Sequence, residues 1–301
     1  MIDRRQFLVA SAAMVGGSAL GLAPAGLTPA RAAGRFDGLE RAFAEIEATH
    51  RGRLGVAVLD TGNDRRAGYR QDERFPLCST FKLLAAGAIL ARVDAGKDSL
   101  ERRIRFSAAD VVAYSPVTKS RTGGDGLMLA TLCEATLTQS DNTAGNLLLR
   151  TLGGPAGLTA YVRSLGDAVT RLDRWETSLN EARPGDLRDT TTPAAMLADV
   201  QALTLGSALK TSGKAQLLQW LRGNRTGDRR LRAKLPDGWV VADKTGTGDH
   251  GTGNDVGLLW PPNGAAPLLV AAYFTEGPEN RAIRDAALAE VGATVAAAWL
   301  A

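Results

Sequence analysis

The chain has 301 residues, of which 45% are hydrophobic and 23% charged, so it can bury a substantial core and is not a disordered chain. Its two histidines and two cysteines, His50, His250, Cys78 and Cys133, are too few and too scattered for a zinc centre. We therefore expect no metal and no cofactor. The net charge of +4 says little about partners, and the basic run over residues 222–234 lacks the aromatic neighbours of a nucleic-acid surface.

Residues 1–32 have the composition of an export signal. Arg4 and Arg5 stand together near the start, an uncharged stretch rich in alanine, glycine and leucine follows, and Ala-Arg-Ala ends at Ala32. The pattern Asp-Arg-Arg-Gln-Phe-Leu over residues 3–8 is typical of a twin-arginine signal. A membrane anchor is the alternative, but the glycines and prolines of the uncharged stretch make a poor spanning helix. We expect cleavage near Ala32 and a mature protein that is periplasmic or secreted, with no membrane attachment.

The rest of the chain alternates between helical and extended patterns. Apolar residues recur at steps of three and four over residues 36–46, which predicts a first helix. Helical segments joined by loops are predicted over residues 77–221, and a last helix over residues 283–299. Strands are predicted, in chain order, over residues 54–60, 66–70, 239–244, 256–260 and 268–275.

This order of elements predicts an α/β (α+β) architecture. The short connections between the last three strands favour antiparallel pairing over helical crossovers. We expect an antiparallel five-stranded sheet flanked by helices, formed by residues 33–76 and 222–301, with residues 77–221 inserted as an all-helical lobe. A cleft between the two lobes is the expected ligand site.

Ser79-Thr-Phe-Lys82 precedes a good helix former and is the first candidate motif. Serine and lysine three residues apart share one helical face, and the first amides of a helix point toward whatever the serine attacks. The arrangement suits a nucleophile beside a proton acceptor. Alone, the pattern is more often a helix cap followed by an exposed lysine.

Two further motifs are equally weak alone. Ser140-Asp141-Asn142 lies between helical runs, where it can face a cleft or simply cap the second helix. Lys244-Thr-Gly-Thr-Gly ends a predicted strand, and its ammonium and hydroxyl groups suit carboxylate binding. The glycines from Gly246 to Gly251 also match a dinucleotide fingerprint, which we reject because a strand, not a helix, is predicted to follow.

Together, the three motifs occur in the order found in class A β-lactamases and penicillin-binding proteins. The chain resembles the class A β-lactamases from its first predicted helix to its last. Two more segments carry the resemblance: Tyr-Ser-Pro at residues 114–116, and Arg-Trp-Glu-Thr-Ser-Leu-Asn at residues 174–180. The resemblance implies a β-lactamase/transpeptidase-like fold and a loop closed by a pair between Arg174 and Asp189.

The resemblance also implies an enzyme that opens the lactam amide of penicillins or cephalosporins through a serine acyl-enzyme, and so confers antibiotic resistance. The catalytic residues would be Ser79, Lys82, Ser140 and Glu176. Ser79 would attack, Ser140 would pass a proton to the lactam nitrogen, and Glu176 would activate the deacylating water. Whether Lys82 or Glu176 deprotonates Ser79 stays open. The backbone amides of Ser79 and Thr247 would hold the oxyanion.

Substrate binding is assigned by the same resemblance. The implied residues are Tyr114, Asn142, Asn180, Arg230, Lys244, Thr245 and Thr247. Asn142 would bind the substrate's side-chain amide, and Asn180 would hold the water with Glu176. Because no arginine occurs between Asp249 and Asp255, Arg230 is expected to bind the substrate carboxylate with Lys244, and Arg229 is its rival.

Two other functions share the acylation chemistry. A peptidoglycan DD-peptidase would lack the Glu176 and Asn180 pair, and a β-lactam sensor would carry membrane-spanning segments beyond the signal. Relatives that form a disulfide pair the position of Cys133 with that of Ala86, which has no thiol here, so we expect two free buried thiols. A small-molecule β-lactam is the only partner expected, and a monomer is the expected state. The substrate spectrum stays open.

Overall fold

The computed structural model describes residues 36–301, and the predicted helices and strands follow one another there in the expected order. The segment 77–221 was predicted to be all helical, but it also contains three two-residue strands, Arg103–Ile104, Leu127–Met128 and Thr190–Thr191, which pair with distant segments and so leave no pattern of their own. Within this range the α-helices are α1 Leu39–His50, α2 Phe81–Asp94, α3 Leu129–Thr138, α4 Asn142–Leu152, α5 Gly154–Ser164, α6 Pro193–Thr204, α7 Thr211–Arg222 and α8 Arg281–Leu300. The β-strands are β1 Arg53–Asp60, β2 Arg65–Tyr69, β3 Phe75–Pro76, β4 Arg103–Ile104, β5 Leu127–Met128, β6 Thr190–Thr191, β7 Val240–Thr247, β8 Gly253–Trp260 and β9 Leu268–Thr275. The predicted export signal lies outside the described residues.

Five strands form one antiparallel sheet in the order β2-β1-β9-β8-β7. β9 pairs with the whole of β1, from Thr275 opposite Arg53 to Leu268 opposite Asp60. This pairing joins the two ends of the chain in one sheet. The predicted five-stranded antiparallel sheet is therefore confirmed.

The edge strand β7 differs from its predicted bounds. It was expected to end at Lys244, but it continues to Thr247, and β8 begins at Gly253 and not at Val256. The extra residues are held by pairing, because Thr245 lies opposite Asp255 and Thr247 opposite Gly253. The Lys-Thr-Gly motif thus lies inside the sheet. The strand that follows it also excludes the dinucleotide fingerprint, as expected.

Helices cover both faces of the sheet, so its central strands are apolar on both sides. In β1, Leu54, Val56 and Val58 pack in one cluster with residues of α1 and α8. Ala57 and Leu59 point the other way and pack with helices from the middle of the chain. The sheet thereby fixes the position of the helices that carry the polar motifs.

Several helices begin at a side chain that caps their first amides. Asp141 accepts a hydrogen bond from the amide of Ala144 at 2.8 Å at the start of α4, and Thr192 accepts from Ala195 at 3.1 Å at the start of α6. The capping interpretation of the Ser-Asp-Asn motif is therefore correct for Asp141. It leaves Ser140 and Asn142 on either side of the cap.

Residues 36–301 form one compact unit. Its division into an α/β lobe and a helical lobe at residues 77 and 222 stays a prediction. No helix in the described range has both the length and the apolar run that crossing a bilayer requires.

Candidate active site

Eight of the eleven predicted site residues line one cavity of about 260 Å³. They are Ser79, Tyr114, Ser140, Asn142, Asn180, Arg230, Thr245 and Thr247. The other three, Lys82, Glu176 and Lys244, are buried and make hydrogen bonds or ion pairs with Ser79, Ser140 and Asn142. Residues separated by more than 160 positions in the sequence are thus brought to one site.

Ser79 lies in a 3₁₀ turn, Cys78–Thr80, that leads directly into α2. Asn254 of β8 donates to the carbonyls of Pro76 and Leu77 at 2.8 and 3.1 Å, which ties this turn to the sheet. Cys78 adopts a left-handed φ of 44°, a costly conformation for a residue with a Cβ that the surrounding structure must impose. The result is a serine hydroxyl held at the cavity wall.

Lys82 is fully buried and surrounded by oxygen atoms. Its Nζ lies 2.9 Å from Ser79 Oγ, 2.6 Å from Asn142 Oδ1 and 2.9 Å from Glu176 Oε1. It also contacts the backbone carbonyl of Ser140 at 2.9 Å. Burial lowers the pKa of Lys82, and the charge of Glu176 opposes that shift. The amine is therefore easier to deprotonate than an exposed lysine.

Glu176 approaches the same serine from the other side. Its Oε1 lies 3.3 Å from Ser79 Oγ, and its Oε2 accepts from Asn180 Nδ2 at 2.5 Å. Asn146 of α4 fixes the backbone of Glu176, because its side chain accepts from the Glu176 amide at 2.9 Å and donates to the Glu176 carbonyl at 3.0 Å. Two candidate bases thus face one hydroxyl.

Ser140 lies between the two lysines. Lys244 Nζ donates to Ser140 Oγ at 3.1 Å, and Lys82 Nζ lies 3.3 Å from the same oxygen. Burial lowers the pKa of Lys244 well below its usual range, and the charge of Lys82 lowers it further. A hydroxyl with an ammonium on either side is suited to passing a proton onward.

Nearly all of the described range matches known proteins of one family. The model of the β-lactamase enzyme family matches residues 38–299. β-Lactamase AST-1 of Nocardia asteroides is 51% identical over 248 residues, which are 82% of this chain and 79% of that protein. β-Lactamase OXY-2 of Klebsiella oxytoca is 47% identical over 253 residues, 84% of this chain and 87% of that protein.

Solved structures agree. An ancestral class A β-lactamase superposes with a TM-score of 0.84 at 60% identity, over 85% of this chain and 98% of that one. This chain belongs to the class A β-lactamases. It is a serine β-lactamase, a hydrolase of the kind that gives resistance to β-lactam antibiotics, and the resemblance stated from the sequence is confirmed.

Ion pairs of Arg174 close the base of the loop that carries Glu176 in this β-lactamase. Arg174 Nε pairs with Asp189 Oδ2 at 2.5 Å, and Arg174 Nη1 pairs with Glu181 at 2.6 Å. Asp189 is buried and its other oxygen accepts from the amides of Asp173 and Arg174. The expected pair between Arg174 and Asp189 is therefore present, and it fixes the two ends of the loop.

Arg230 lines the cavity, but most of its donors are committed to the protein. Nε pairs with Asp285 at 2.8 Å, Nη1 donates to the carbonyls of Gly246 and Asn254, and Nη2 donates to Thr247 Oγ1 at 2.7 Å. Among residues 36–301, four of its five N–H groups find acceptors, and one on Nη2 is left for a ligand. Because the Thr247 hydroxyl accepts from Arg230, its own hydrogen is free to point into the cavity.

Two residues that line the cavity were not predicted, Thr226 and Arg281. Thr226 Oγ1 lies 2.8 Å from Asn224 Oδ1 and 2.5 Å from the hydroxyl of Thr245, so it holds the side chain of Thr245, a predicted site residue, in place. Arg281 is the first residue of α8 and has a side chain that is 65% exposed. Neither residue lies in a motif, so nothing in the neighbouring sequence identifies either one as part of the site.

Cys78 and Cys133 are free and buried, as expected. Burial raises the pKa of both thiols, so both are held in the protonated form. Within residues 36–301, no group of three or more histidine, cysteine, aspartate or glutamate side chains is placed to hold a metal ion.

Proposed function

We propose that this class A β-lactamase hydrolyses penicillins and cephalosporins by acylation of Ser79 and deacylation with water. The observation that carries the proposal is that Lys82 Nζ and Glu176 Oε1 lie 2.9 and 3.3 Å from the same serine oxygen, at the wall of the cavity. A nucleophile with a base in hydrogen-bonding reach is the arrangement that covalent catalysis requires.

In acylation, Ser79 Oγ attacks the lactam carbonyl carbon and its proton passes to a base. Both Lys82 and Glu176 are within reach of Ser79 Oγ. The lowered pKa of Lys82 supports Lys82 as the base, and the short distance from Glu176 to Ser79 supports Glu176 equally. The backbone amides of Ser79 and Thr247, two residues on the cavity wall, are suited to hold the oxyanion.

Breakage of the lactam C–N bond leaves a nitrogen that needs a proton. Ser140 supplies it in this proposal, and takes one in turn from the lysines at 3.1 and 3.3 Å. The lowered pKa of Lys244 supports this role, because a buried ammonium gives up a proton readily.

Deacylation requires a water between Glu176 and the acyl carbon. Glu176 is the general base, and Asn180 helps to hold the water. Within the described residues Asn180 Oδ1 is buried and has no hydrogen-bond partner in the protein, so it is available to accept a hydrogen bond from that water.

Substrate binding uses the two ends of the cavity. At one end Lys244, Thr245, Thr247 and Arg230 meet the substrate carboxylate, with the hydroxyl of Thr247 as a donor. At the other, Asn142 binds the side-chain amide, and Tyr114, which is 62% exposed, forms an apolar edge. We further infer that a twin-arginine signal in residues 1–32 exports the enzyme to the periplasm or beyond, and that the mature form is a monomer.

The test is the amount of product released per enzyme molecule when the chain from residue 33 onward meets a chromogenic cephalosporin. We expect many turnovers. In Glu176→Gln we expect one rapid equivalent of product and an acyl-enzyme that is stable in a mass spectrum, since Ser79 remains and the deacylating base is gone. A single equivalent from the wild type would instead indicate a transpeptidase or a sensor, and no release at all would refute the role of Ser79.

A further inference from the structure

At the end of the cavity that holds Arg230, two arginine side chains pair with the same carboxylate. Asp285 Oδ1 pairs with the buried Arg230 at 2.8 Å, and its Oδ2 pairs with Arg281 Nε at 3.3 Å. One carboxylate is thus shared by two guanidinium groups. Lys244 lies at the same end, where its Nζ donates to the backbone carbonyl of Thr245 at 2.8 Å and the buried carboxylates of Asp243 and Asp255 also act on it.

A nearby buried arginine is crowded by the same charges. Arg284 is 8% exposed, its Nη1 lies 3.5 Å from the carbonyl of Gly248, and within residues 36–301 its Nε has no hydrogen-bond partner. Burial and the charges of Arg230 and Arg281 lower the pKa of Arg284, and the charges of Asp285 and Glu279 oppose that shift. An anion brought to this end of the cavity would therefore be stabilised by several cations at once.

Arg230 and Arg281 are available to a ligand to different degrees. Arg230 has one N–H group left, next to the hydroxyl of Thr247, which is enough for a single carboxylate. Arg281 is bound to the protein through Nε, and within the described chain no acceptor takes the N–H groups of its Nη1 and Nη2. Those two nitrogens form the fork that binds carboxylate or sulfonate in a bidentate way.

We propose that Arg281 binds a second anionic group of the substrate, carried next to the ring carboxylate, and so raises the activity of the enzyme toward dianionic β-lactams. The proposal rests on the proposed function, in which Arg230, Thr245 and Thr247 hold the ring carboxylate. In a cephalosporin the group that reaches Arg281 is the C3 substituent, because C3 is bonded to the carbon that bears the carboxylate.

A matched pair of cephalosporins tests this. Cefonicid and cefamandole share the 7-mandelamido side chain and a C3 tetrazolylthiomethyl group, and differ by a sulfomethyl in place of a methyl on the tetrazole. For each variant we would measure the ratio of kcat/KM for cefonicid to that for cefamandole. In Arg281→Gln the ratio should fall about fivefold, the effect of one exposed charge contact, mainly through KM. Arg281→Lys should recover part of it.

Arg105→Gln is the matched control, because Arg105 is also exposed, at 78%, and pairs with a carboxylate at 3.2 Å, but does not line the cavity. Its ratio should equal that of the wild type, and higher ionic strength should lower the wild-type ratio but not that of Arg281→Gln.

An unchanged ratio in Arg281→Gln would overturn the proposal. An equal loss for both substrates would also overturn it, since that would mean that Arg281 only supports Arg230. An equal fall in Arg105→Gln would assign the effect to net charge. If the wild type turns over neither cephalosporin, the proposed function itself fails, whereas turnover of both with an unchanged ratio refutes Arg281 alone.

Discussion

Replacement of Asp199 by asparagine should stabilise the enzyme, and more so as the pH rises. Asp199 lies on α6 and is 1% exposed, and its burial, with the nearby charge of Asp167, raises its pKa to about 9. Within the described residues neither Asp199 Oδ2 nor Asp167 Oδ2 receives a hydrogen bond from an N–H or O–H group. Two ionised carboxylates would repel each other there, so we infer that Asp199 keeps a proton and donates it to Asp167.

The size of the effect follows from proton linkage. An unfolded aspartate loses its proton near pH 4, whereas folded Asp199 holds it up to about pH 9. The folded state therefore binds the extra proton between those values, and stability falls as the pH rises through that window, by at most about 1.4 kcal/mol per pH unit. From pH 5 to pH 8 the limit is about 4 kcal/mol, and we expect about 2 kcal/mol because relaxation and water penetration around an ionised Asp199 reduce the cost of its burial. Asparagine does not titrate and supplies a permanent N–H donor.

The assay is urea unfolding of the wild type and Asp199→Asn at pH 5 and pH 8. The free energy of unfolding of the variant, relative to the wild type, should increase by about 2 kcal/mol between the two pH values. Asp125→Asn is the control, because that carboxylate is 77% exposed and should show no such gain. A difference that is the same at both pH values, or a variant less stable at pH 8, would refute the shared proton.

Two changes at the carboxylate end of the cavity have distinct expected results. Arg230→Lys keeps the charge but loses the fork that reaches Thr247, so KM for a penicillin should rise about tenfold with a smaller change in kcat. Steady-state kinetics that show a fall in kcat alone would contradict this. Thr226→Val removes the link between Asn224 and Thr245, and KM should rise about threefold at unchanged stability. An unchanged KM would mean that Thr226 does not orient Thr245.

Most of the architecture could be predicted from the sequence, since it depends on local patterns. The strand patterns predicted all five strands of the sheet, and the short connections between the last three predicted antiparallel pairing. The order of the strands in the sheet was not predicted. The bounds that were wrong lie at Lys244 and Val256. There the strands are extended by pairing with each other, which a pattern along one segment does not report.

Most of the site residues were also predicted from the sequence. Motifs identified residues such as Ser79 and Lys244 because each stands in a short pattern with its own chemical meaning. Thr226 and Arg281 stand in no motif. Thr226 follows α7, which packs against β7, and Arg281 begins α8, which packs against β8 and β9, so the fold brings both to the cavity. Their roles depend on which atoms they contact across the fold, and that information is absent from any single segment.

The same contacts explain why the carboxylate end combines hydroxyl groups with cations. A bare ammonium or guanidinium buried at the cavity wall would pay the full cost of desolvation whenever no substrate is bound. Here Arg230 donates to Thr247, and Thr226 lies within hydrogen-bonding distance of Thr245. Thr247 accepts from Arg230 and can donate its own hydrogen to a ligand, whereas Thr226 donates to Asn224 Oδ1 and so accepts from Thr245. The hydroxyl of Thr247 can thus donate to the substrate carboxylate while Arg230 polarises it, and the charge of Arg230 stays paired with Asp285.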